Sequence, residues 1–220
     1  MDPRPHEYIL EVFADQAFVK DIVKGVLHTI FFHRYFPPVQ PALFSPTAAS
    51  ASTTSSSSSS PSLPIPLPQI LDPPEISTAI DAHTSSLLSQ LNSSSSNSGY
   101  GGTRGEIVVR FFDRKRRKTG ITGGWLGRLG GGQTDEEVCW EEWCVQVILA
   151  KPRSEADRIK VRRAMESSLT KTAVKIVNIV NKDKDHIPPI TTSDQNPFPY
   201  RIVVNPKQQG TVERGFGAWN

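Results

Sequence analysis

Residues 138–150, VCWEEWCVQVILA, carry the pattern that decides the fold. Apolar side chains alternate along this stretch, as they do on one face of a β-strand: Trp143, Val145, Val147 and Leu149. Upstream, EIVVRFF at residues 106–112 predicts a second strand. The Gly-rich stretch at residues 120–133 lies between them, so the two strands are predicted to form a long β-hairpin.

Helical periodicity follows the hairpin directly. Apolar residues recur at helical spacing along residues 155–182, and Ser154 with Asp157 resembles a capping box at the start. At the N-terminus, EYILEV at residues 7–12 predicts a strand, and the helix after it has Asp15 as its expected N-cap. The apolar stripe of that helix is wide, which indicates that it packs on a sheet.

A further helix is predicted over residues 73–91 and a last strand over residues 200–205. Strands and helices interleave without a Gly-rich βαβ fingerprint. The order therefore predicts an α+β fold, with one mainly antiparallel sheet packed by three helices.

Two polar, Ser-rich stretches interrupt this pattern, at residues 37–69 and 92–104. They lack the apolar content that offsets the entropy of ordering, so they are predicted to be disordered insertions. The expected organisation is one domain over residues 1–205 with a short tail at 206–220. With two cysteines, no signal peptide and no apolar run of about 18 residues, we expect a soluble, cytoplasmic protein.

No catalytic or metal-binding constellation emerges from the sequence. The Gly-rich loop lacks the Lys and hydroxyl residue of a phosphate-binding P-loop. Cys139 and Cys144 lie five residues apart in a predicted strand, so they are expected on opposite faces as inert thiols. One of the two helical histidines, His28 and His33, is expected to be packed in the core. The four glutamates are expected to form a solvated or partner-facing patch: Glu136, Glu137, Glu141 and Glu142. We expect no enzyme, cofactor or metal.

The strongest charge run is RKRRK: Arg114, Lys115, Arg116, Arg117 and Lys118. It is a candidate contact for an anionic surface, such as nucleic acid, an acidic protein or an anionic membrane, and the alternative is a solvated hairpin end. The net charge of +3 is too small to favour nucleic acid.

Three segments together resemble the autophagy-related protein 101 family: EYILEVFADQAFVKDIVKGVLHTIFFHR at residues 7–34, CWEEWCVQV at 139–147 and NIVNKDKDHIPPI at 178–190. The resemblance implies a HORMA fold and no catalysis. It also implies pairing with, and stabilisation of, the HORMA domain of autophagy-related protein 13, and recruitment of other autophagy-initiation factors at the preautophagosomal structure.

Animal members of that family expose a Trp-Phe finger in the loop before the matching strand. By resemblance, Trp125 is the finger tryptophan here. The phenylalanine is absent, and the second finger residue is Leu126, Leu129 or neither. An apolar anchor on a Gly-rich loop suits recruitment, because Trp is a favoured hot-spot residue. The alternative is that Trp125 folds back as a lid on its own domain.

HORMA pairs commonly meet through the long third helix. The stripe of residues 155–181 opposite the apolar face therefore gives a candidate dimer face, which includes Arg163, Ser167, Lys171 and Val174. An alternative function is a nucleic-acid or chromatin-associated HORMA-like module that uses residues 114–118. Nucleic acid is not the expected partner, because no aromatic residues interleave with the basic run.

Overall fold

The computed structural model describes residues 4–36, 39, 41–44, 65–95, 103–115, 136–190 and 196–206. Six strands and three helices follow one another within these ranges: β1 (His6–Asp15), α1 (Val19–Arg34), β2 (Pro41–Phe44), β3 (Leu67–Ile70), α2 (Pro74–Ser95), β4 (Thr103–Lys115), β5 (Glu136–Ala150), α3 (Glu155–Lys182) and β6 (Tyr200–Val204). The α+β class and the three helices agree with the prediction.

Four of the strands form one mixed sheet in the order β1-β5-β4-β6. β4 pairs with β5 and with β6 in antiparallel fashion, and β1 pairs with β5 in parallel. The predicted hairpin and the mainly antiparallel sheet are therefore confirmed. A register shift between Phe111 and Phe112 leaves Trp140 of β5 as the extra residue of a β-bulge.

The main core lies between the helices and one face of this sheet. Val145 and Val147 of β5 are buried there, as predicted from their alternation. α1 contacts β1, β3, α2 and α3, so protein surrounds it on most sides. This surrounding explains its wide apolar stripe, since a helix that is buried all round shows no narrow apolar face.

Regular secondary structure occupies the ends of both predicted insertions. Pro41–Phe44 and Leu67–Ile70 pair as a small antiparallel sheet at the two ends of the predicted insertion 37–69, and Leu67 is buried. α2 continues to Ser95 and β4 begins at Thr103, so the insertion predicted at 92–104 is also shorter. Residues 45–64, 96–102 and 207–220 lie outside the described residues.

Asp15 is not the N-cap of α1, contrary to the prediction. The cap residue is Phe18, and the carboxylate of Asp15 instead accepts hydrogen bonds from the backbone N–H groups of Ala17 and Phe18, at 2.9 and 3.1 Å. Asp15 thus shapes the turn between β1 and α1. None of the helices in the described part of the chain is long and apolar enough to cross a membrane.

Candidate partner-binding surface

Of the predicted contact surfaces, the outer face of α3 is the one whose residues all lie within the described ranges. The helix spans the predicted residues, and the Ser154 hydroxyl accepts a hydrogen bond from the Asp157 N–H at 3.1 Å. Its inner face is buried: Met165, Leu169, Thr172, Ile176 and Val180. The four candidate dimer residues are all exposed on the opposite side: Arg163, Ser167, Lys171 and Val174.

Exposed apolar side chains extend this outer face beyond the predicted residues. Val174 is 52% exposed, and Ile159 and Val177 are 51% and 41% exposed. Ile159 and Val177 lie about five turns apart at ~3.6 residues per turn, so they share one azimuth next to that of Val174. Sequence reasoning missed both, although their helical spacing was available as a signal.

Two open clefts border this face and share Lys171 and Lys175. One cleft, of about 530 Å³, lies between α3 and β1 and is lined by Ile9 and Glu11. The other, of about 380 Å³, lies beside Val174 and Asn178. The candidate face therefore combines apolar patches, positive charge and shallow relief, which suits contact with a protein surface.

Side chains of α3 cover the outer edge of β1. Thr172 Oγ1 donates to the Glu11 carbonyl at 2.8 Å, and Lys175 Nζ donates to the Ile9 carbonyl at 2.6 Å. The Phe13 N–H donates to Ser168 Oγ at 3.2 Å. These bonds occupy backbone groups that a partner strand would need for strand addition at this edge.

The basic run begins beside a carboxylate. Arg114 Nε lies 3.9 Å from Glu137 Oε1 at the end of the β4–β5 hairpin, and Arg201 of β6 forms a second ion pair with the same Glu137. Residues 116–118 lie outside the described residues, as do Trp125, Leu126 and Leu129. The described end of the run is thus partly neutralised within the protein.

The four glutamates do not form one solvated patch, and the prediction for Glu141 is wrong. Glu136 and Glu137 are exposed, and Glu142 pairs with Arg110 on the opposite face of the sheet from Glu141. Glu141 is fully buried on the helix-covered face and pairs with Arg34 and His186. Glu141 and Glu142 thus face opposite ways, as adjacent residues of a strand do. No local signal marks the partners of Glu141, because they come from distant parts of the chain.

The two cysteines share one sheet face, contrary to the prediction. Cys139 pairs with Phe112 and Cys144 with Val108, and these two β4 residues point to the same side. The bulge at Trp140 is the reason, since an extra residue shifts the alternation. Both thiols are free, and burial raises their pKa, that of Cys144 to about 12. Such thiols are poor nucleophiles at neutral pH.

His28 is the packed histidine of the predicted pair. It is buried, and its Nδ1 accepts the Ile70 N–H at 3.2 Å, while His33 is only partly buried. Across the described ranges, no group of three or more His, Cys, Asp or Glu residues is arranged to hold a metal ion.

Comparison with known proteins identifies one family. The family model of autophagy-related protein 101 matches residues 11–194. This range covers β1 from Glu11 onward, all three helices and the β4–β5 hairpin. Comparison with individually curated proteins gave no match.

Proposed function

Because the chain belongs to the autophagy-related protein 101 family, we propose that it is a non-enzymatic adaptor of autophagy initiation. In this proposal it pairs with the HORMA domain of autophagy-related protein 13 and stabilises it. It acts in the cytoplasm and at the preautophagosomal structure, where Trp125 with Leu126 or Leu129 recruits further initiation factors.

The observation that carries the pairing proposal is the outer face of α3. Val174 is the exposed apolar residue at the centre of a face that also contains Arg163, Ser167 and Lys171. Apolar side chains ringed by polar and charged ones are typical of a non-obligate interface. The positive charge favours an acidic counterpart on the partner.

The experiment compares two charge substitutions at equally exposed apolar positions. Val174 and Ile190 are 52% and 55% exposed, and only Val174 lies on α3. We expect Val174→Asp to weaken the complex with the partner HORMA domain about tenfold or more, because a carboxylate would be desolvated at the interface. Ile190→Asp should bind like wild type, as measured by titration calorimetry.

Light scattering on size-separated mixtures then gives the stoichiometry. A one-to-one complex of the wild-type chain is expected, and its absence would refute the pairing proposal. If Val174→Asp binds as tightly as wild type, the interface lies elsewhere on the protein. Trp125→Ala should form the same complex and lose only the recruitment of later factors; loss of pairing in this variant would make Trp125 a pairing or structural residue.

Duplex DNA tests the alternative function of residues 114–118. Tight binding that weakens steeply between two salt concentrations would favour a nucleic-acid module, because such binding releases counterions from phosphates. The lack of aromatic residues interleaved with the basic run argues against this alternative. We expect weak, sequence-independent binding at most.

A further inference from the structure

Glu141 is a fully buried carboxylate at the centre of a polar cluster that the adaptor function does not explain. Arg34 Nε, at the end of α1, lies 2.9 and 3.0 Å from its two oxygens, and Trp143 Nε1 donates to Oε1. His186 Nε2 lies 2.6 Å from Oε2. A buried carboxylate is tolerated only with such a set of partners, because its desolvation is costly.

Arg34 connects this cluster to the end of α3. Its Nη2 donates to the carbonyl of Asp183 at 3.1 Å, and Asp183 is the C-cap residue of α3. A guanidinium at a helix C-terminus also interacts favourably with the helix dipole. From β1, the Tyr8 hydroxyl donates to Asp183 Oδ2 at 3.3 Å. The last turn of α3 is therefore bound by both α1 and β1.

His186 extends the attachment to the segment after α3. Its ring lies 4.1 Å from that of His6 and 5.6 Å from that of Trp140, between centroids. Its side chain is only 9% exposed. Asp183 and His186 together thus join the segment 183–190 to the sheet through Glu141 and its neighbours.

The remainder of α3 is attached by different contacts. Ser168, Thr172 and Lys175 bind the edge of β1 from the middle of the helix, before its last two turns. We propose that Glu141 is a positioning residue: through Arg34 and His186 it fixes the C-terminal end of α3, and with it the orientation of the outer face that includes Val174 and Val177.

The test is hydrogen–deuterium exchange on the full chain. Two amides report directly on the segment, since Asp183 N–H donates to the Ile179 carbonyl at 2.8 Å and Ile187 N–H to the Lys184 carbonyl at 3.1 Å. We expect His186→Ala and Glu141→Gln to speed exchange in residues 178–190 roughly tenfold or more, with α1 and β4 unchanged.

Glu142→Gln is the matched control. It removes the same charge from the next residue of β5, but on the opposite face of the sheet, where Glu142 pairs with Arg110. Amide exchange of residues 178–190 in this variant should match that of wild type. If Glu141→Gln does not fold, His186→Ala decides alone, because it leaves the Arg34–Glu141 pair in place.

If the amides of residues 178–190 in His186→Ala exchange at the wild-type rate, the proposal is overturned. It is also overturned by a uniform increase across every element, which indicates loss of general stability, or by an equal local increase in Glu142→Gln. As a second readout, we expect His186→Ala to bind the partner HORMA domain more weakly than wild type does. This second readout rests on the proposed function. If the wild-type chain does not bind the partner, the proposed function is refuted, but the exchange result still tests the role of Glu141. The two proposals can therefore be refuted independently.

Discussion

His28 shows how one side chain joins distant segments. It lies on the buried side of α1 and accepts the N–H of Ile70, so it ties β3 to the helix. Burial is the main cause that lowers its pKa from 6.5 to about 4, and the nearby charge of Lys24 contributes to this shift. The folded protein therefore requires the neutral imidazole, whereas the unfolded chain binds a proton below about pH 6.5.

The free energy of unfolding should therefore fall as the pH drops from about 6.5 to about 4. The full effect from His28 is roughly 3 kcal/mol at ~1.36 kcal/mol per pKa unit. His28→Gln keeps a hydrogen-bond acceptor but does not titrate, so the difference between wild type and variant should grow with pH across this window. Urea denaturation at several pH values measures it. A constant difference would contradict the assignment.

Gly25 determines how closely α1 approaches the small β2–β3 sheet. A Cβ atom at this position would lie 2.6 Å from Cδ1 of Leu67, which is buried on β3. The helix has glycine at a position where its low helix propensity costs about 1 kcal/mol, because the buried Leu67 side chain fills the space beside it.

Gly25→Val should destabilise the protein by about 1–3 kcal/mol, because the added methyl groups overpack a filled contact. Lys20→Val is the control, since it places the same β-branched residue at an exposed position of α1. The control should cost only a few tenths of a kcal/mol. Chemical denaturation monitored by circular dichroism gives both values, and equal effects would refute the close contact as the cause.

β1 contacts the central strand β5 and two of the three helices, α1 and α3. It pairs in parallel with β5, buries Leu10, Val12 and Ala14, and supplies the edge on which α3 packs. β5 and α3 follow one another directly in sequence, yet both depend on this strand for part of their packing. We therefore expect the first strand and the centre of the fold to unfold together.

Deletion of residues 1–15 should abolish cooperative unfolding, because it uncovers β5 and removes the support of α3. Deletion of residues 1–5, which precede β1, should leave the melting temperature within about 2 °C of wild type. Differential scanning calorimetry compares the two deletions. A sharp transition in the longer deletion would show that α3 and the remaining strands form a stable core without β1.

The features that could be predicted from the sequence are those that local patterns encode. The bounds of α3, its Ser154 cap and the β4–β5 hairpin followed from the spacing of apolar residues along single segments. The exposure of Arg163, Ser167, Lys171 and Val174 followed in the same way, since the opposite side of α3 is apolar.

Other features depend on contacts between residues that are distant in sequence. The parallel pairing of β1 with β5, the bulge at Trp140 and the pairing of β2 with β3 leave no periodic signal. The burial of Glu141 is the clearest case, because two adjacent glutamates have the same local chemistry. Arg34 and His186 reach only Glu141 of the two, since the pleat of β5 turns it toward the helices, and this proximity exists only in the folded chain.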